Sequence, residues 1–141
     1  MPKDYITTHL NASHWWARGA RGSGVRVAIF DTGLPAVNSA NIAEAVNFAS
    51  EHTTDDRVGH SAFMTGVIGG SRGACVGLAP DTTVYIARVF DSNQQSTTAW
   101  FLEAFNFALS RDVDLINLSV GGPDFRDAPF VEKAIDCFSS P

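Results

Sequence analysis

Three short apolar segments alternate with segments of helical periodicity, and this alternation restricts the fold more than any other feature of the sequence. The apolar segments are residues 25–30 (VRVAIF), 83–90 (TVYIARVF) and 113–120 (VDLINLSV). Their content of Val, Ile and Phe is typical of buried strands. Because helices separate the strands along the chain, we predict an α/β fold, in which helices flank a parallel sheet with right-handed crossovers.

Three helices are predicted from periodicity and capping residues. One follows Ser96, its expected N-cap. A second runs from about His60 to Gly69, and a third begins at Asp127-Ala128-Pro129, with the proline in its first turn. In the helix after Ser96, spacing separates a polar side from a side that should face the core, made of Phe101, Leu102, Phe105 and Leu109.

Length and composition limit the class of protein. The 141 residues fit one domain, and 45% of them are hydrophobic, which is enough to fill a core. A net charge of −5 gives no basic footprint for nucleic acid. No apolar stretch approaches the ~20 residues that span a bilayer, and the first ten residues lack the apolar core of a signal peptide. Cys75 and Cys137 are expected to be buried thiols, although a disulfide between them stays open.

In parallel sheets, ligands bind at the carboxyl ends of the strands. Asp31, Asp91 and the segment Ser119–Pro123 follow the predicted strands, so they are candidate site residues. Asp31 in Asp31-Thr32-Gly33 would orient a partner side chain or, alternatively, begin a turn. The same tripeptide occurs in aspartic proteases, but those are β-rich proteins that need two such aspartates, and the predicted helices disfavour that fold.

His60 is the candidate for proton transfer. It lies at a predicted helix start among small residues, and imidazole is suited to proton transfer near neutral pH. The alternative is a surface or capping histidine.

The glycine-rich segment Gly19–Gly24 precedes a strand, whereas a dinucleotide fingerprint must follow one. Scattered His and Cys residues lack metal-ligand spacing, so we expect no metal and no nucleotide cofactor.

Four segments, in this order, resemble the subtilisin-like serine proteases, or subtilases. Residues 24–34 (GVRVAIFDTGL) are similar to the family's aspartate segment, and residues 59–66 (GHSAFMTG) to its histidine segment, usually G-H-G-T-H-V-A-G. Residues 77–80 (GLAP) and 116–122 (INLSVGG) are similar to the two segments that follow. Ser61 and Ala62 replace the usual Gly-Thr, and the Ser61 side chain is expected either to crowd the histidine ring or to restrict the backbone geometry.

The resemblance implies a serine endopeptidase acting on polypeptide substrates. Asp31 would orient His60, which would act as general base and then as general acid. Ser119, Val120 and Gly121 would form an extended edge on which the substrate pairs as an added strand. No cofactor is implied, and structural calcium stays open. The branch of the family that the chain resembles in detail resides in the secretory pathway, which implies the Golgi or endoplasmic reticulum.

The resemblance covers only about the first half of a subtilase catalytic domain, from about residue 10 to 138. The family's nucleophile lies in a G-T-S-x-A/S segment, and no such segment occurs in these 141 residues. We therefore expect a partial peptidase domain over residues 1–141, inactive alone, or else a truncated subtilase that binds peptides as an interaction module. Unpartnered apolar residues should promote self-association; the candidates are Leu115, Ile116, Leu118 and Phe130.

Two N-x-S sequences are present, Asn11-Ala12-Ser13 and Asn117-Leu118-Ser119. Such sequences are acceptors for N-linked glycans when they lie on the surface of a secreted protein. The second lies in a predicted buried strand, so we expect it to be unused.

Overall fold

A computed structural model describes residues 5–36, 40–71 and 76–121, and over these residues the chain forms a parallel sheet with helices on its faces. The strands are β1 (Arg26–Asp31), β2 (Asn41–Asn47), β3 (Thr83–Arg88) and β4 (Leu115–Leu118). The helices are α1 (Tyr5–His9), α2 (Ala12–Trp16), α3 (His60–Gly69) and α4 (Thr98–Ser110). The strand order is β2-β3-β1-β4, and every pairing is parallel. The predicted α/β class is confirmed.

The three predicted strands correspond to β1, β3 and β4, whereas β2 was not predicted. Its sequence, NIAEAVN, mixes Asn, Glu and Ala with two β-branched residues, so it lacks the apolar run of a central strand. Within the described residues β2 is an edge strand, paired with β3 alone and with a register shift between Ile42 and Glu44. An edge strand needs less apolar sequence than a strand covered on both faces.

Alternate side chains of the central strand β1 pack into two separate cores. Val27 and Ile29 join the cluster that Met64 and Ile68 of α3 cover. Ala28 and Phe30 join the cluster on the other face, beneath α4. Because both faces of β1 are buried, its sequence is continuously apolar rather than alternating. The two-residue period then carries Asp31, the last residue of β1, to the face covered by α3.

The helix α4 forms where it was predicted, but its cap and its buried side differ from the prediction. Thr97, not Ser96, is the N-cap, and its hydroxyl accepts a hydrogen bond from the Trp100 N–H at 3.4 Å. Of the four residues predicted to face the core, Phe105 is buried and Phe101 packs against the core, whereas Leu102 and Leu109 are 45% and 41% exposed. The buried side chains of the helix are Ala104, Phe105, Phe107 and Ala108.

Close packing explains that difference. Ala104 and Ala108 have no solvent exposure, so α4 approaches the sheet along its small residues. The Phe107 ring then lies 5.9 Å from that of Phe48 and 6.3 Å from that of Tyr85, measured between centroids. Apolar residues occur around most of this helix, so periodicity alone did not select the buried side.

α3 spans His60–Gly69, as predicted. Ile116 packs against the core beneath α4, so its expected lack of partners is wrong, whereas Leu115 and Leu118 are 59% and 41% exposed. The helix predicted from Asp127 lies outside the described residues, as do Phe130, Cys75 and Cys137.

Among the helices that the structure describes, none has the length and apolar sequence needed to cross a membrane.

Candidate active site

Asp31 and His60 are in direct contact at the carboxyl end of the sheet. Asp31 is 1% exposed, and His60 is the first residue of α3. The His60 Nδ1 atom lies 2.8 Å from Oδ1 and 2.9 Å from Oδ2 of Asp31. The His60 side chain is 44% exposed. Because Nδ1 is bound to the carboxylate, Nε2 is the ring nitrogen left to exchange a proton with a substrate or a hydroxyl group.

A cavity at this end of the sheet joins the two residues to the segment that follows β4. The predicted substrate-binding residues Ser119, Val120 and Gly121 line it together with Asp31 and His60. Thr32, Phe90 and Gln94 complete its wall. The structure thus brings together the five residues to which the family resemblance assigns a role. Asp91 does not line the cavity; its Oδ1 atom accepts hydrogen bonds from the N–H groups of Asn93 and Gln95, both at 2.9 Å, and so closes a turn.

Asp56 is a site residue that the sequence did not reveal. Its Oδ1 atom accepts hydrogen bonds from the Val58 and Gly59 N–H groups at 3.0 and 2.7 Å, and Oδ2 accepts one from Ala62 at 2.8 Å. Gly59 is the N-cap of α3, and it has no capping side chain of its own. The Asp56 carboxylate therefore satisfies donors at the start of the helix that carries His60.

Thr32 connects Asp56 to the contact between Asp31 and His60. Its hydroxyl oxygen lies 2.8 Å from Asp56 Oδ1 and 3.2 Å from Asp31 Oδ1, and it accepts a hydrogen bond from the Ser61 N–H at 3.1 Å. The Thr32 N–H donates to Asp31 Oδ1 at 2.7 Å. One side chain thus touches both carboxylates and the first turn of α3.

The pKa of Asp56 lies below its ordinary value. Burial, the largest influence, raises the pKa, but the hydrogen bonds from Gly59, Ala62, Thr32 and Val58 together outweigh it. Asp56 is therefore held as a carboxylate, which is the form that can accept all of these bonds.

Arg88 fixes the loop that carries Asp56. It is paired with Asp31 across the sheet and is 1% exposed. Its guanidinium donates to the Thr32 carbonyl at 3.1 Å and to the Thr53 carbonyl at 2.8 Å, and it forms an ion pair with Glu51. The Arg88 guanidinium, with a smaller effect from Ser92, lowers the pKa of Glu51. Through these hydrogen bonds and this ion pair, the buried Arg88 side chain joins the loop after β2 to the backbone beside Asp31.

Gly33 lets that loop approach the Asp31 segment. Its φ is 135°, and a Cβ atom built there would lie 2.6 Å from the Thr54 carbonyl oxygen. The Leu34 N–H donates to that carbonyl, and the Asp56 N–H donates to the Leu34 carbonyl at 2.8 Å. Only glycine fits this close approach. The Gly of Asp31-Thr32-Gly33 is thus explained by contact with the loop that leads to His60.

The Ser61 side chain is fully buried, and the contact between Asp31 and His60 forms with Ser61 in place. In the described part of the chain, no group of three His, Cys, Asp or Glu residues is placed to hold a metal ion.

Comparison with known proteins identifies the family. The model of the subtilase family matches residues 22–139. The chain is 45% identical over 140 residues to subtilisin-like protease SBT6.1 of Arabidopsis thaliana, which covers 98% of this chain and 14% of the relative. It is 49% identical over 135 residues to the human membrane-bound transcription factor site-1 protease, covering 94% of this chain and 13% of the relative. It is 28% identical to a subtilisin of Bacillus pumilus, covering 93% of this chain and 50% of the relative.

These matches agree with the resemblance seen in the motifs, and site-1 protease is the branch whose residues the sequence resembles. The chain spans about one seventh of the length of the plant and human relatives. The match to the family model includes the Asp31, His60 and Ser119–Gly121 segments. The chain belongs to the subtilase family of serine peptidases.

Proposed function

We propose that this chain supplies the aspartate and histidine of a subtilisin-like serine endopeptidase. The observation that carries the proposal is the contact between His60 Nδ1 and Asp31 Oδ1 at 2.8 Å, beside a cavity that Ser119–Gly121 also line. Membership of the family supports proteolysis as the reaction class and polypeptides as substrates.

In the proposed mechanism, each residue has a separate task. Asp31 orients the His60 ring through Nδ1 and stabilises the imidazolium that forms during the reaction. Nε2 of His60 takes the proton of a serine hydroxyl as that oxygen attacks the scissile carbonyl carbon. It then gives the proton to the nitrogen of the leaving amine as the C–N bond breaks. Ser119, Val120 and Gly121 hold the peptide in an extended conformation beside His60.

The nucleophilic serine must come from outside these 141 residues, because no G-T-S-x-A/S segment occurs in them. In subtilisin, loss of the serine alone lowers kcat by about 10⁶, and loss of one oxyanion donor lowers it by about 10²–10³. The purified 141-residue chain should therefore cleave no peptide and should not react with a fluorophosphonate probe.

A second candidate is a peptide-binding module without catalysis. The observation that favours it is that the cavity contains the proposed substrate edge, Ser119–Gly121, while the same 141 residues supply no nucleophile segment. We propose that either activity is located in the secretory pathway, in the Golgi or endoplasmic reticulum, and the similarity to the human membrane-bound transcription factor site-1 protease supports this location.

A chimera separates these candidates. The aligned 135 residues of the human site-1 protease are replaced by the matching residues of this chain, and cleavage of a peptide that the unmodified human protein cleaves is measured. We expect cleavage and fluorophosphonate labelling of the chimera, and loss of cleavage in His60→Ala. His52→Ala is the matched control, because His52 is an exposed histidine outside the cavity. A folded chimera that binds the peptide without cleaving it would support the binding module instead.

A further inference from the structure

The two N-x-S sequences of the chain occupy very different structural positions. An acceptor asparagine needs an accessible side-chain amide, a hydroxyl two residues later and no proline between them. Both sequences meet the sequence requirement, with Ala12 and Leu118 in the middle position. The folded structure must also leave room for a bulky, hydrated oligosaccharide on the asparagine.

Asn11 meets this structural requirement. It lies in the turn between α1 and α2, and both Asn11 and Ser13 are exposed. Although Asn11 is the N-cap of α2, its side chain makes no capping hydrogen bond. Ala12, between the two, is buried, whereas both of its neighbours are exposed. Neither Asn11 nor Ser13 lines the cavity beside His60.

Asn117 does not meet it. It lies within β4, opposite Ile29 of β1, and it is partly buried. Its Nδ2 group donates a hydrogen bond to the Ser119 hydroxyl at 2.9 Å. Ser119 in turn lines the cavity that contains His60. A glycan at Asn117 would replace one of the two hydrogens of the amide group that makes this contact and would place its first sugar beside the proposed substrate edge.

The backbone offers a competing reason for an asparagine at position 11. Its φ and ψ are 52° and 41°, a left-handed conformation that asparagine adopts more readily than most residues. Glycine adopts that conformation more readily still. A glycine at position 11 therefore preserves the turn and removes the acceptor, which separates the two roles experimentally.

The surroundings of Asn11 favour the glycan over the purely conformational role. Ile6, Leu10 and Trp15 are 40%, 55% and 56% exposed, and they precede and follow Asn11 closely in sequence. Exposed apolar side chains promote association where they lie together on the surface. A hydrated oligosaccharide at Asn11 would add polar, solvated surface to the same short segment of the chain.

We propose that Asn11 carries an N-linked glycan and that Asn117 does not. The inference rests on the proposed location in the secretory pathway, not on proteolysis. In the transfer, the Asn11 side-chain nitrogen attacks C1 of a sugar in a polyprenyl pyrophosphate-linked oligosaccharide. The new N–C1 bond replaces the bond between C1 and the phosphate oxygen, polyprenyl pyrophosphate leaves with that electron pair, and the amide nitrogen loses one proton to a base of the transferring enzyme.

Translation of the full chain in the presence of endoplasmic reticulum microsomes tests this proposal. The chain is placed behind a cleavable leader and a flexible Gly/Ser linker. We expect one glycan, seen as a single mobility step that peptide N-glycosidase removes. Asn11→Gly and Ser13→Ala should abolish the step, Ser13→Thr should retain it because threonine also completes an acceptor sequence, and Asn117→Gln should leave it unchanged.

Two results would overturn the proposal. One is an unmodified chain in a reaction that glycosylates an acceptor tag added to the same chain. The other is a glycan that survives Asn11→Gly, or a second glycan that disappears in Asn117→Gln. The assay supplies its own leader and requires no peptidase activity, so failure of the proposed proteolytic function would not alter its result.

Discussion

Asp56 shows how a residue outside the cavity governs the contact within it. Its carboxylate accepts hydrogen bonds from Val58, Gly59 and Ala62 at the start of α3. It also lies 2.8 Å from the Thr32 hydroxyl, beside Asp31. The Asp56 carboxylate thus binds both the segment after β1 and the start of α3, so the relative position of Asp31 and His60 depends on Asp56.

We expect Asp56→Ala to lower the free energy of unfolding by about 0.5–2 kcal/mol, the range for losing a side chain that caps a helix N-terminus. Hydrogen exchange at the amides of Gly59 and Ala62 should accelerate, because those donors lose their acceptor. Asp55→Ala is the matched control, since Asp55 is an exposed neighbour in the same loop. Equal effects of the two variants on denaturant unfolding and on exchange would contradict this role for Asp56.

The same variant has a defined pH dependence. The pKa of Asp56 is lowered in the folded protein, so its contribution to stability is present above the unfolded value of about 3.9. That contribution disappears as the pH falls through the lower folded value. The difference in unfolding free energy between wild type and Asp56→Ala, measured by denaturant titration at each pH, should therefore be constant near neutral pH and shrink below about pH 4.

The sequence alone identified the candidate catalytic residues, but it did not identify the residues that hold them in position. Asp31 and His60 could be named because motifs and strand ends mark them. Asp56 and Arg88 could not, since an aspartate in a loop and an arginine ending a strand have many uses. Their role depends on how the 51–56 loop folds back against Gly33, and this contact between distant segments leaves no local pattern in the sequence.

At the scale of elements, α4 shows that packing against the sheet determines which side of a helix is buried. Phe107 is 9% exposed and packs with Phe48 and Tyr85, whereas Leu102 is 45% exposed. Strands β1, β3 and β4 were predictable from apolar runs. The edge strand β2 was not predictable, and the buried side of α4 was predictable only for Phe101 and Phe105, because packing against the rest of the fold selects the buried residues.

We expect Phe107→Ala to lower the free energy of unfolding by about 3–5 kcal/mol, as for other buried phenylalanines, and Leu102→Ala by less than about 1 kcal/mol. Phe107→Leu should fall between them, and it provides a measurement if Phe107→Ala does not fold. Denaturant unfolding followed by circular dichroism gives all three values. A larger loss for Leu102→Ala than for Phe107→Leu would show that α4 packs through its other side.

At the scale of the molecule, the exposed apolar surface near β4 is the feature that we expect to cause association between chains. Leu115, Leu118 and Val120 are 59%, 41% and 46% exposed. Over the described residues β4 pairs with β1 alone, so it is the second edge of the sheet. Exposed apolar side chains and an unpaired strand edge each favour association between chains.

We therefore expect the purified 141-residue chain to self-associate, which sedimentation velocity at increasing concentration would detect. Leu115→Lys should weaken association, because a lysine on an edge strand opposes pairing with another strand. Leu102→Lys is the matched control, since it changes a leucine that is 45% exposed on α4, away from the sheet edge. A monomer at all concentrations that unfolds cooperatively above about 60 °C would contradict this expectation, as would equal effects of the two lysine variants. The stable monomer would mean that the β4 edge is covered within the chain itself. Equal effects of the two lysine variants would mean that association depends on overall charge.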